Sequence, residues 1–226
     1  MSPSRTDYGP GARFYDALAW LYSLGAIARA KRVHLGSVEP GQRVLYAGSG
    51  LGAEALRAAG QGARVTLLDS SPNMTAYARR RFERAGLGAE FVDARLADFA
   101  PAEKFDHVAA HFFLNVFASQ EVAPALLGLA DLLAPGGRLW VADFAAARGG
   151  AGLDVLRRLH YLPPLALFHL WARNPWHELY DYRERVDALG SRLRLVGETS
   201  VSVCGLPLYE VLSFGTAASA DGAANA

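Results

Sequence analysis

Arg43-Val44-Leu45-Tyr46-Ala47-Gly48-Ser49-Gly50-Leu51-Gly52 is the stretch that decides the fold. Its first half is a short apolar run suited to a buried strand. Its second half is a glycine turn, and the residues that follow read as a helix through Ala59 that Gly60 can end. Glycines let the backbone turn sharply and let a ligand come close to the main chain. The helix beyond points its free N–H groups at such a ligand. A GxGxG turn alone is a weak signal, since a glycine-rich turn is more often simply a turn. The dinucleotide fingerprint GxGxxG is not matched, because Ala53 stands where its third glycine belongs. No Gly-Lys-Ser/Thr follows, which excludes a P-loop.

Outward from this stretch, strand and helix alternate over short connections. Ala63–Leu68 reads as a strand finishing on Asp69, Ser71-Pro72 starts a helix that Gly86 stops, and Ala89–Val92 is a third strand ending at Asp93. Phe105–Ala110 is a fourth strand, Glu121–Leu133 a helix, and Pro135-Gly136-Gly137 a turn into a fifth strand, Arg138–Ala142. This alternation is the pattern of a parallel sheet with helices on both faces. Upstream, Arg13–His34 reads as one or two helices. Downstream, Glu178–Leu189 reads as a helix stopped by Gly190, and Arg192–Val203 and Pro207–Phe214 form a closing hairpin around Gly205.

Composition narrows the function. The chain has 226 residues, of which 51% are apolar, enough for one domain with a substantial core. A net charge of +1 argues against a dedicated nucleic-acid binder. Cys204 is the only cysteine, so no internal disulfide forms, and His160, His169 and His177 lack the tight spacing of a zinc site. Met1–Asp7 lacks the layout of a signal peptide. Ala17–Ala28 and Tyr161–Ala172 are charge-free but shorter than the roughly 20 residues of a spanning helix. A cytoplasmic location is expected.

Three successive strand ends carry binding chemistry on one edge of the sheet. After the glycine turn comes Asp69, where a carboxylate can accept both hydroxyls of a ribose, and then Asp93, where one can accept from an exocyclic amine. Each acid alone reads better as a solvated helix cap; the set does not. Val44–Gly52, Leu67-Leu68-Asp69-Ser70-Ser71-Pro72-Asn73-Met74, Phe105-Asp106-His107-Val108 and Leu132-Leu133-Ala134-Pro135-Gly136-Gly137-Arg138-Leu139 resemble the successive motifs of class I S-adenosylmethionine-dependent methyltransferases, in the style of the ubiquinone/menaquinone branch. The resemblance spans about residues 40–145. It implies an α/β, Rossmann-like, seven-stranded, mostly parallel sheet with helices on both faces and a C-terminal antiparallel hairpin. It also implies that S-adenosylmethionine is the cofactor, with Gly48, Ser49 and Gly50 on its methionine part, Asp69 and Ser70 at the ribose, Met74 on the adenine, and Asp93 with Ala94 at the adenine amine. The family usually has an acid where this chain has Tyr46, whose hydroxyl keeps only a neutral hydrogen bond for the cofactor's ammonium. Glu54 is placed to substitute in part, or is an ordinary first-turn acid.

The expected organisation is a single methyltransferase domain: a helical cover over 1–40, a cofactor-binding core over 41–145, a helical substrate lid over 146–190, the hairpin over 191–215 and a disordered tail over 216–226. Methyl transfer needs positioning and exclusion of water, and a general base only where the acceptor must lose a proton early. His111, after the fourth strand, is the candidate base, with cofactor contact or simple packing as the plainer readings. Asp143, at the end of the fifth strand, is placed to face the pocket, or Asp143-Phe144 only begins a loop. Asn115 orients an acceptor or caps a turn. Tyr15 and Tyr22 belong to the N-terminal helix that closes over the cofactor in the family, Tyr15-Asp16 resembling the family's tyrosine–aspartate pair; core filling is the plainer reading for both.

The aromatic and proline-rich segment His160–His177 reads as a lid over an apolar acceptor, as core packing, or as a weak membrane-surface contact. The expected substrate is therefore a small apolar or aromatic acceptor such as a quinol, phenol or natural-product intermediate. The rivals are a membrane-surface lipid-headgroup N-methyltransferase and an S-adenosylmethionine-binding protein that transfers no methyl group.

Overall fold

The computed structural model describes residues 20–148, 150–172, 176 and 179–216. Seven strands form one sheet: β1 (Arg43–Ala47), β2 (Arg64–Asp69), β3 (Glu90–Asp93), β4 (Phe105–His111), β5 (Leu133–Phe144), β6 (Leu193–Val203) and β7 (Leu206–Thr216), in the order β3-β2-β1-β4-β5-β7-β6. The first five pair in parallel, while β7 pairs antiparallel with both β5 and β6. The strand order turns around between β1 and β4. Ligands of open α/β sheets bind in the crevice at such a point, outside the carboxyl ends of the strands.

Alternation along each strand sends side chains to two cores. Leu45, Val108, Leu139, Val141 and Phe214 pack against α4 (Ser119–Asp131) and α6 (Tyr182–Asp187). On the other face, Val44, Tyr46, Val65, Leu67 and Ala109 pack on α2 (Ala53–Gly60) and α3 (Pro72–Ala85). On that same face, Trp140, Ala142, Phe144 and Tyr209 meet α1 (Ala26–Arg32) and α5 (Ala151–Ala172).

Two boundaries differ from the sequence reading. β5 begins at Leu133, five residues before the expected Arg138, with Pro135-Gly136-Gly137 inside it as an irregularity. Phe105 pairs with Leu133 and His107 with Arg138, so the extra residues loop out between two paired positions. A side chain at Gly137 would meet the carbonyl oxygens of Ala134, Phe105 and Asp106 at 2.9–3.1 Å, which only glycine avoids. The helix expected over Glu178–Leu189 shortens to Tyr182–Asp187, because Asp181 caps it by accepting from the Arg183 and Glu184 amides.

α5 runs through both Pro163 and Pro164 and carries Val155, Leu156, Leu159, Leu162, Leu167 and Leu170 exposed along its length. Among the described residues, no helix is long and apolar enough to cross a membrane. The N-terminal helices expected over Arg13–His34 include residues 20–23 and α1, separated by a turn at Leu24 and Gly25; the residues before Trp20 lie outside the described ones. The hairpin turns around Gly205, as expected.

Candidate active site

The glycine turn is fastened to the end of β2. The amides of Gly48 and Ser49 both donate to the Leu68 carbonyl, at 2.9 and 3.1 Å. Gly50 donates to Asp69 Oδ2 at 2.8 Å, and the Ser71 amide to Oδ1 at 2.9 Å. Asp69 thus ties the turn to the start of α3. Burial pushes its carboxyl above the usual range, opposed by the two amides, with Asp93 pushing further up. Asp93 is its register partner on β3 and is exposed. Gly48, Gly50 and Gly52 all have positive φ, between 52° and 67°, conformations natural to glycine.

Beside this turn, a narrow cleft is lined by Lys31, Tyr46, Ala47, Gly48, Ser49, Glu54, Ala55, Ala109 and His111. Lys31 and His34 stand three residues apart on consecutive turns leading out of α1, which brings both to this corner. His34 is fully buried, and its Nε2 lies 2.7 Å from the Tyr46 hydroxyl. Burial lowers its pKa to about 4, so it is neutral near pH 7. The Tyr46 phenol is pushed up by burial and then by Glu54, and stays protonated.

His111 is nine-tenths buried, its ring 4.7 Å from that of His34. Burial, His34 and Lys31 together hold its pKa well below the ordinary imidazole range. Two polar atoms at this cleft are buried without a hydrogen-bond partner, His111 Nε2 and Ser49 Oγ. Such orphans cost roughly 1–3 kcal/mol each, a cost that a polar ligand in the cleft removes.

The structure gathers Tyr46, Gly48, Ser49 and His111 around one cleft, with Gly50 and Asp69 directly behind. Ser70 is half-buried beside Asp69, Met74 is buried in the first turn of α3, and Ala94 is half-buried after β3. Tyr15 lies outside the described residues. Lys31 and His34 went unnoticed as site residues because a lysine and a histidine on an amphipathic helix carry no motif.

Asp143 is buried at the end of β5, one residue beyond the register partner of His111. The Tyr182 hydroxyl donates to its Oδ2 at 2.7 Å, while Asn115 Nδ2 and the Phe144 amide donate to Oδ1 at 3.0 and 2.8 Å. Asn115 thus helps to hold this buried acid. Burial drives the Asp143 carboxyl up to about 7 despite the three donors.

The unfolded chain releases that proton near pH 4, so Asp143 lowers stability progressively as pH rises from about 4 to 7. His34 acts in the opposite sense, its contribution being lost as pH falls from about 6.5 to 4. Asp143→Asn should therefore gain stability relative to the unchanged protein at pH 8 compared with pH 4.5. The limit is roughly 4 kcal/mol, from 1.36 kcal/mol per pKa unit. Urea unfolding at the two pH values checks this; an equal difference at both contradicts it.

Comparison with known proteins follows the same geometry. Residues 44–137, from β1 into β5, match a family described as a methyltransferase domain. Demethylmenaquinone methyltransferase of Thermus thermophilus is 33% identical over 210 residues, covering 90% of this chain and 93% of the relative. The chain belongs to the class I S-adenosylmethionine-dependent methyltransferases. Among solved structures, the methyltransferase resembles 1,6-didemethyltoxoflavin-N1-methyltransferase of Burkholderia thailandensis, with TM-score 0.68, 19% identity and coverage of 96% and 91% of the two chains. It also resembles magnesium protoporphyrin IX methyltransferase of Synechocystis PCC 6803, with TM-score 0.62, 23% identity and coverage of 86% and 83%. At these identities the likeness speaks for the fold.

Proposed function

We propose that this enzyme methylates a small, planar, hydroxyl-bearing aromatic acceptor of the quinol or phenol kind. The observation that carries this is His111 Nε2, a neutral and unpartnered imidazole nitrogen at the wall of the cofactor cleft. Such a nitrogen has hydrogen-bonding capacity left for a ligand, and an aryl hydroxyl, both donor and acceptor, can meet it. The name of the 33%-identical relative, a demethylmenaquinone methyltransferase, supports the same class.

The cleft suits the cofactor. The bound group supplies an electrophilic methyl carried on a sulfonium. Gly48, Ser49 and Gly50 offer main chain and the free Ser49 hydroxyl to its methionine part, Asp69 and Ser70 meet the ribose, Met74 packs on the adenine, and Asp93 with Ala94 meets the adenine amine. Glu54 and Lys31, which both line the cleft, match the ammonium and carboxylate of an amino acid. Glu54 thus takes over from the missing acid at Tyr46, whose hydroxyl is engaged by His34. Glu54→Gln should weaken S-adenosylhomocysteine binding about tenfold, near 1.4 kcal/mol, and Tyr46→Phe by less than about threefold. The reverse ranking in calorimetry would return the ammonium to Tyr46.

His111 orients the acceptor by accepting its hydroxyl proton in a hydrogen bond, and the depressed basicity of its ring keeps it neutral throughout the physiological range. His111→Ala should slow turnover about tenfold or more with S-adenosylhomocysteine affinity nearly intact. An equal fall in affinity would make His111 a cofactor ligand instead. The assay is methyl transfer from S-adenosylmethionine to reduced naphthoquinols and phenols, and no transfer to any of them sinks the proposed acceptor class.

A further inference from the structure

Away from the cofactor cleft, the outer face of α5 is a surface that methyl transfer leaves unexplained. Residues three and four apart put Val155, Leu159, Leu162 and Leu170 on one stripe, with Leu156 and Leu167 along its edge, and all six are exposed. Tyr161 and Leu165, on the opposite side of the helix, are buried in the core. The stripe runs for about 22 Å. Arg157 and Arg158 are the only charged residues between its ends. Arg157 turns inward, donating to the carbonyls of Pro207 at 3.1 Å and Ala146 at 2.7 Å. Arg158 stands exposed at the margin. Single exposed leucines are ordinary on a protein surface, but a continuous row of them marks contact with an apolar partner.

Further apolar groups lie beside this row. The Tyr22 ring stacks on His160, in the middle of α5, at a centroid distance of 4.7 Å. Trp20, Leu21 and Leu24, its neighbours in the chain, are all exposed. Leu24 is held at φ 48°, a conformation that costs a leucine free energy, and still its side chain meets solvent. Arg29 fastens this turn, donating to the Leu24 carbonyl at 3.3 Å and to the Ser202 carbonyl, near the tip of the hairpin, at 2.7 Å.

The charge around these groups has one sign. Residues 20–38 contain Arg29, Lys31 and Arg32 and no acid, and Arg29 and Arg32 are exposed. The one acid in α5, Asp154, pairs with Arg157 at 3.7 Å. A leucine row with a tryptophan beside it and a basic rim is complementary to the interface of an anionic bilayer. A second copy of the chain fits less well, because a two-fold pairing sets basic rim against basic rim.

We propose that the outer face of α5, with Trp20, Leu21 and Leu24, docks the enzyme on an anionic lipid surface. The apolar side chains enter the acyl boundary, and Arg29, Arg32 and Arg158 meet the headgroup phosphates. The contact is peripheral, since among the described residues no helix is long and apolar enough to cross a membrane. It does not depend on which acceptor is methylated.

The test is co-sedimentation of the full chain with vesicles of phosphatidylglycerol and phosphatidylcholine in equal parts, and with phosphatidylcholine alone. The unchanged protein should bind the mixed vesicles at least about tenfold more tightly than the neutral ones, and added salt should narrow the difference. Leu159→Glu combined with Leu162→Glu should weaken binding to the mixed vesicles at least about tenfold. Its thermal melt and S-adenosylhomocysteine affinity should stay unchanged, because both side chains are exposed. If the double variant fails to fold, Arg158→Ser, which touches only the rim, should weaken vesicle binding about fivefold. No binding of the unchanged protein to the mixed vesicles, as when the residues before Trp20 cover the face, overturns the proposal. Binding that the folded variants retain in full also overturns it. So does a dimer, seen by light scattering without lipid, that the double variant dissociates, since the face then belongs to a second copy.

Discussion

Gly48→Ala is expected to lower S-adenosylhomocysteine affinity about a hundredfold and to cost the fold about 3 kcal/mol. Two independent costs combine. Gly48 has φ 64°, where a Cβ costs roughly 1–2 kcal/mol. The added Cβ would also lie 3.0 Å from Phe113 Cγ and closer still to the ring edge. Phe113 cannot simply step aside, since it packs on the core and stands edge-on to Phe117 at 5.1 Å. The turn must shift instead, carrying Ser49 and the cleft wall with it. Thermal melts should show a loss of roughly 6–12 °C for a chain of this size. Gly50→Ala separates the causes, because nothing stands within 4 Å of its Cβ and only the backbone cost at φ 52° remains. Equal destabilisation by the two changes would show that Phe113 does not police the turn.

Asp69→Ala should weaken S-adenosylhomocysteine binding at least tenfold, about 1.4 kcal/mol, and destabilise the protein by roughly 1–3 kcal/mol. The carboxylate has two tasks. It accepts from the amides of Gly50 and Ser71, holding the glycine turn against α3, and it stands where the ribose is proposed to lie. Removing it leaves two amides without their acceptor and loosens the turn that shapes the cleft. Asp69→Asn distinguishes the tasks. It keeps one oxygen for the amides, so stability should partly recover while cofactor affinity stays low. Full recovery of affinity in Asp69→Asn would confine Asp69 to tying the turn, and an unchanged affinity in Asp69→Ala would remove it from the site.

Much of the cofactor edge was legible because its signals are local. A five-residue apolar strand, glycines that need positive φ and acids at consecutive strand ends all lie within short windows, and Gly48, Ser49, Gly50 and Asp69 come together as their spacing implied. The errors fell where tertiary contacts override local preference. Pro135-Gly136-Gly137 reads as a turn, yet pairing of Leu133 with Phe105 extends the strand past it. The partners of Asp143 were not legible either, since Asn115 and Tyr182 reach it from 28 and 39 residues away. His34 escaped notice for the same reason, since its significance lies in the Tyr46 hydroxyl it meets.

The central claim is that an adenosyl cofactor lies across the carboxyl edge of the sheet, at the reversal between β1 and β4. Isothermal titration of the unchanged protein with S-adenosylhomocysteine, and separately with NAD, tests it most directly. One-to-one binding of S-adenosylhomocysteine with no heat from NAD is the expected result. No binding of S-adenosylhomocysteine, or binding of NAD in its place, would contradict the account.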